Sequence, residues 1–266
     1  MPAVDATDRG YISSSPVHKL IIGTGDAEIY NDLASRGAIV DEIDYGSFKM
    51  VRVNEQAIGG RDSFSALSLP VRDDQDLINL NGFVFDTNQP ELLRAELPAD
   101  LRQTDMAAAI ATGSAPSGGL YIVQFAGPIK DSWLRKLRAT GAEIVSYVSS
   151  NAYILQASAA AAASLPRFKG DNSFVQFVGD YEPAFRMSPL VRAAHASSSD
   201  VTVDVTVQVV AGPEAHQTIA RLRKVAGELV NSYDVLNYRN IEVSVPASRL
   251  AEIARIDNVF AIEERG

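Results

Sequence analysis

The chain has 266 residues, 46% hydrophobic and 21% charged, with a formal net charge of −9 and no cysteine. That length suffices for one large or two to three small domains with an unstapled core, and the missing thiols exclude disulfides and thiolate metal sites. The negative charge argues against nucleic acid or an anionic membrane as a partner, and no apolar run approaches the ~18 residues of a membrane span.

The opening MPAVDATDRG (1–10) lacks the basic-then-apolar pattern of a secretory signal. KLIIGTGDAEIYNDLASRGAIVDEIDYGSFKMVRV (19–53) then reads as a strand, a short helix, a Gly-Ala step and two more strands. Within it GTGDAE (23–28) resembles a phosphate loop, yet it lacks the third glycine, and Asp26 and Glu28 would repel phosphate at a helix start. A plain strand-to-helix turn is the better account. Residues 57–118 fit no repeated pattern, and the acidic RDDQDL (72–77) reads as a solvated loop without the alternating oxygen ligands of a calcium site. ATGSAPSGG (111–119) and RAAHASSSD (192–200) read as linkers, dividing the chain into 1–110, 119–191 and 201–266.

The second and third parts repeat each other. IVQFAGPIKDSWLRKLRATGAEIVSY (122–147) and TVQVVAGPEAHQTIARLRKVAGELVNSY (206–233) both run strand, Ala-Gly-Pro, helix, strand. In the third part Val201, Val203, Val205, Val207 and Val209 alternate with polar residues as a half-buried strand. Ala215, Ile219, Leu222 and Ala226 form a helical stripe that Gly227 ends. Leu229–Tyr233 and Ile241–Val245 read as strands, 246–256 as a second helix and Val259–Ile262 as the last strand. The second part repeats the order, with the alanine run 157–165 as second helix and 174–179 as last strand. The expected class is therefore α+β: tandem ferredoxin-like βαββαβ modules, each with an antiparallel sheet covered by helices on one face, preceded by a divergent βαββ module with an insertion.

Chemistry is sparse. His18, His195 and His216 show no ligand spacing and read as solvated, so no metal site and no cofactor are expected. Trp133, with Ile129 and Leu137 at helical spacing, reads as core rather than as a ligand platform. The anomaly is the last strand: Val259-Phe260-Ala261-Ile262 is apolar at successive positions, so a regular strand would show apolar groups on both faces. An uncovered Phe or Ile forfeits roughly 1.5–3 kcal/mol, which points to a partner on the open sheet face.

The ending NVFAIEERG (258–266), with the element order of 201–266, resembles the propeptide domain of subtilisin-like serine proteases. VQFVGDYEPAFRMSP (175–189) resembles a companion module of large bacterial subtilases, in which a strand leads to a Tyr-x-Pro-Ala-Tyr/Phe-Lys/Arg segment, here Tyr181 to Arg186. The resemblance implies a pro-region that acts as intramolecular chaperone and inhibitor and is not itself an enzyme. It would dock its open sheet face on the protease catalytic domain, in cis or in trans, outside the cytoplasm in the extracellular space or periplasm. Phe260, Ile262, Glu263, Glu264, Arg265 and Gly266 are the docking residues it implies, with the two glutamates capping helices of the partner. No Asp-Ser/Thr-Gly, His-Gly-Thr or Gly-Thr-Ser segment of a subtilase triad is present, so the chain reads as the pre-catalytic part of a larger precursor. The alternatives from the residues alone are a regulatory small-molecule-binding protein and a sheet-paired oligomeric module.

Overall fold

The structure, a computed structural model, describes residues 11–67, 69–103, 105–114, 116–169, 174–197 and 201–265. It is α+β, built of antiparallel sheets with packed helices. The chain opens with β1 (Val17–Gly23), α1 (Ala27–Ser35), β2 (Ile39–Asp44) and β3 (Phe48–Asn54), in the sheet order β1-β3-β2. Leu20, Ile22, Leu33, Val51 and Val53 form its core. GTGDAE is a strand-to-helix turn, in which the Asp26 carboxylate accepts the Gly23 N–H at 3.0 Å.

The segment without a sequence pattern is well structured. Three 3₁₀ turns (Glu55–Ile58, Arg61–Leu67, Asp73–Asp76) lead to the hairpin of β4 (Leu77–Leu80) and β5 (Phe83–Asp86). Its two-residue turn, Asn81-Gly82, has positive φ at both positions (47° and 86°), the combination that Asn-Gly supplies at low strain. The helices α2 (Pro90–Glu96) and α3 (Asp105–Thr112) follow.

The middle unit is β6 (Gly119–Phe125), α4 (Asp131–Arg138), β7 (Glu143–Val148), β8 (Ala152–Ala157), α5 (Ala159–Ser164) and β9 (Val175–Asp180), with sheet order β7-β8-β6-β9. Strand alternation splits its apolar residues between two cores. Tyr121, Val123 and Phe125 join Trp133, Leu137, Ala161 and Leu165 from the helices. Leu120 and Ile122 face the other way and join Ile78, Phe85 and Leu93 of the hairpin and α2. The sheet face opposite the helices is thus covered by residues 77–97 of the same chain, which is why β6 is buried along its whole length. Trp133 stacks on Phe125 and Phe174, with centroids at 5.9 and 5.7 Å, as a core residue.

The last unit begins after α6 (Pro189–Ala196). It comprises β10 (Thr202–Val210), α7 (Ala215–Ala226), β11 (Asn231–Val235), β12 (Tyr238–Pro246), α8 (Leu250–Ala254) and β13 (Val259–Glu264), with sheet order β11-β12-β10-β13. The stretch expected as a linker from Arg192 is helical through Ala196: Ser188 caps α6 by accepting the Val191 N–H at 3.1 Å, and Pro189 sits in the first turn.

Two polar readings are also corrected. RDDQDL is no solvated loop, since Asp73 and Asp76 are buried. Asp73 accepts the N–H groups of Ser13 and Lys19, both at 2.9 Å. Asp76 pairs with the buried Lys19 ammonium and accepts from Asn88 and Gln176, both at 2.8 Å. His18 is likewise fully buried, its ring nitrogens 2.7 Å from Asp73 and 3.0 Å from Glu55. These groups are tolerated inside because each charge has opposite charges or hydrogen bonds around it, and they tie the first unit to the hairpin and to β9. His195 is not in a linker either; it lies on α6, 2.6 Å from Asp100.

Candidate protein-docking face

The last sheet carries α7 and α8 on one face. Val205, Val207 and Val209 of β10, Ile241, Val243 and Val245 of β12 and Leu222, Leu250 and Ile253 of the helices are buried together in that core. The opposite face presents Asp204, Thr206 and Gln208 of β10, Asn240, Glu242 and Ser244 of β12, and Asn231, Tyr233 and Val235 of β11, by the antiparallel register of these strands.

β13 departs from regular alternation. Val259 pairs with Val209 and Ile262 with Val207, while Ala261 opposes Gln208, so the register shifts across Phe260. This bulge turns both Val259 and Ile262 to the helix face, where both are fully buried. The strand thus carries apolar groups on both faces, but the extra residue changes their distribution: Val259 and Ile262 face the helices, while Ala261, opposite Gln208, and Phe260 lie toward the open face. Phe260 is half-buried and covered by this chain, stacked on Tyr238 at 4.7 Å and on Tyr181 at 5.9 Å.

The remaining site residues end the strand. The Ile262 carbonyl accepts the Ser188 N–H at 3.0 Å. Glu263 pairs in register with Thr206 on the open face and is exposed. Glu264 is exposed too, and one carboxylate oxygen accepts from Ser188 Oγ at 2.9 Å. Arg265 donates its backbone N–H to the Asp204 carbonyl and its Nη2 to the Asp204 carboxylate, both at 3.1 Å. Gly266 lies outside the described residues. The face therefore has two zones. Phe260, Tyr238 and Ala261 are packed toward the middle unit, where the Tyr238 hydroxyl donates to the Val145 carbonyl at 3.4 Å. The zone from Glu263 past the half-buried Glu242 to β11 meets solvent: every residue of β11 is exposed, and Val230, Tyr233, Val235 and Leu236 leave large apolar surface there.

The Tyr181-to-Arg186 segment positions this sheet. The Tyr181 hydroxyl donates to the Phe260 carbonyl at 3.1 Å, and the Phe185 ring stacks on Phe85 at 5.7 Å. The buried Arg186 guanidinium donates to the carbonyls of Ala254 and Ile256, at 2.9 and 3.0 Å, and to the Tyr181 carbonyl at 2.9 Å. Those first two acceptors sit at the C-terminal end of α8, where orphan carbonyls and the helix dipole favour a cation. The segment thus locks the middle sheet, the hairpin and the last unit together. Among the described residues no group of histidine and acidic side chains is arranged to hold a metal ion, and no helix is long and apolar enough to cross a membrane.

A family described as a domain of unknown function (DUF8729) matches residues 79–182. The match starts inside the β4–β5 hairpin and ends two residues beyond β9, so it takes in the middle sheet together with the segment covering it. Neither the curated proteins nor the solved structures gave a match.

Proposed function

We propose that the chain is a non-catalytic pro-region of a subtilisin-like serine protease, which uses the solvent-facing zone of its last sheet to dock on the protease catalytic domain. The strand orders β7-β8-β6-β9 and β11-β12-β10-β13, each with helices after the first and third strands, support reading both as ferredoxin-like units. The observation that carries the proposal is the asymmetry between their open faces. The middle unit has its own covering hairpin, whereas the last unit keeps Tyr233, Val235 and Glu263 in solvent beside the exposed Glu264 and the half-buried Glu242. Such a surface offers apolar contact area together with carboxylates that can satisfy N–H groups at helix N-termini of a partner. Phe260 and Ile262 then support the face from within, rather than touching the partner directly.

The test is to add the chain at micromolar concentration to a subtilisin-like protease and measure its peptidase rate and its refolding yield from denaturant. Slowed hydrolysis or a raised refolding yield is expected, and no change in either contradicts the proposal. The exposed β11 edge also favours a second reading, pairing with another copy of the chain, which light scattering across a concentration series separates from protease docking.

A further inference from the structure

The hairpin and α2 do not seal the middle sheet completely. Between them lies a cavity of about 350 Å³, walled by Phe85 and Leu93 on one side, Ile122 and Phe177 on the other, and Phe185 at one end. Its volume falls within the range of small-ligand pockets, and at about 30 Å³ per water-sized group it holds about a dozen non-hydrogen atoms. The floor is kept open by Gly179: a Cβ there would lie 2.4 Å from Phe177 Cζ, so the glycine lets the Phe177 ring fold back over its own strand. All the lining residues except Phe185 lie within 79–182, so the matched family segment supplies nearly the whole cavity.

The charged groups on the rim are not balanced. Asp180 is held by the Met106 N–H, at 3.1 and 3.2 Å, and Glu182 by the Gln103 N–H. Glu91 is exposed one helical turn before Arg94. On the basic side, Arg94 donates one long hydrogen bond, 3.3 Å, to the Gln103 carbonyl, acts on Glu182 only through space, and forms no direct ion pair among the described residues. The Lys169 ammonium has no hydrogen bond or ion pair with any described residue, and partial burial lowers its pKa. Two of the three acids already have backbone donors, while neither cation is in a direct ion pair with a described residue beside the apolar chamber.

We propose that this cavity binds a small amphipathic carboxylate, its apolar body between the hairpin and the sheet and its carboxylate at Arg94 and Lys169. The site stands apart from the docking face and does not depend on the protease reading. The Arg94 guanidinium supplies the planar fork that suits a carboxylate, and Lys169 adds a compact charge. A medium-chain fatty acid of about ten carbons matches the capacity estimated above.

Sodium decanoate, decanol and decyltrimethylammonium are the probes, titrated below their micelle concentrations into the full chain by calorimetry. NMR of methionine methyl groups locates binding, because Met106 lines the cavity while Met50 lies in the core beside β1. The expected result is saturable decanoate binding that shifts the Met106 methyl and not Met50, with decyltrimethylammonium at least tenfold weaker. Arg94→Gln and Lys169→Gln, both on the rim, should each weaken decanoate several-fold and leave decanol unchanged. Absence of decanoate binding up to millimolar concentration, equal binding of the cationic probe, or indifference to both substitutions would overturn the assignment.

Discussion

Arg186 shows how one side chain joins two units. It is fully buried and takes its acceptors from the carbonyls of Tyr181, Ala254 and Ile256. Arg186→Ala strands those acceptors without water, at a cost of about 1–3 kcal/mol for each one left unpaired, so urea denaturation should show a loss of several kcal/mol. Arg186→Lys keeps a charge but not the fork, and should fall between. Glu182 has a displaced titration: burial pushes its pKa from 4.5 up to about 7, against the opposing Gln103 N–H bond. Its folded form therefore holds an extra proton between about pH 4.5 and 7, and stability falls as pH rises through that window, by up to about 3 kcal/mol. Glu182→Gln should flatten this slope and make the protein more stable at pH 8 than the parent, as measured by denaturant midpoints. For His18, burial alone would lower the pKa, but the bonds to Asp73 and Glu55 outweigh it and raise it above 6.5. Its contribution is fully present below pH 6.5 and declines as pH climbs through the raised value.

At the scale of elements, two glycine-dependent details shape the middle unit and the hairpin that covers it. Gly179→Ala must displace the Phe177 ring from the seam between sheet and hairpin, an overpacking change expected to cost about 1–3 kcal/mol; far- and near-ultraviolet circular dichroism with thermal melts would report it. Asn81-Gly82 closes the hairpin that covers the middle sheet. Most repeated elements were legible, because valine alternation on β10, the helical stripe of α7 and the doubled strand-helix-strand pattern are local signals. The hairpin was also within reach: Asn-Gly between LINL and FVFD is a strong local signal, obscured here by the polar run before it. The bulge at Phe260 was not legible, since a one-residue register shift against β10 is fixed by pairing rather than by the strand's own residues. The buried state of Asp73, Asp76 and His18 was equally out of reach, because it depends on contacts to residues far away in the chain, among them Ser13, Lys19 and Gln176.

Over the whole molecule, the first unit is fastened through the Lys19–Asp76 pair and the last through Arg186. Breaking the buried pair on one side leaves an uncompensated charge, so Lys19→Met should destabilise by about 3–5 kcal/mol, whereas pairing it with Asp76→Leu should recover part of that loss. Calorimetry would read both, along with any split of one unfolding transition into two. Of the residues expected to touch a partner, the structure places Ile262 inside and Phe260 under Tyr181 and Tyr238, and leaves Glu263 and Glu264 at the surface. The docking account therefore rests on the exposed zone from β11 to Glu263. Its most direct test is a comparison of the parent chain with Tyr233→Asp and Glu263→Lys as inhibitors of a subtilisin-like protease, with circular dichroism confirming that both variants fold. The account predicts inhibition by the parent and a loss of about tenfold or more, the ~1.4 kcal/mol of one good contact, in each variant. Equal inhibition by all three chains, or none by the parent, would contradict it.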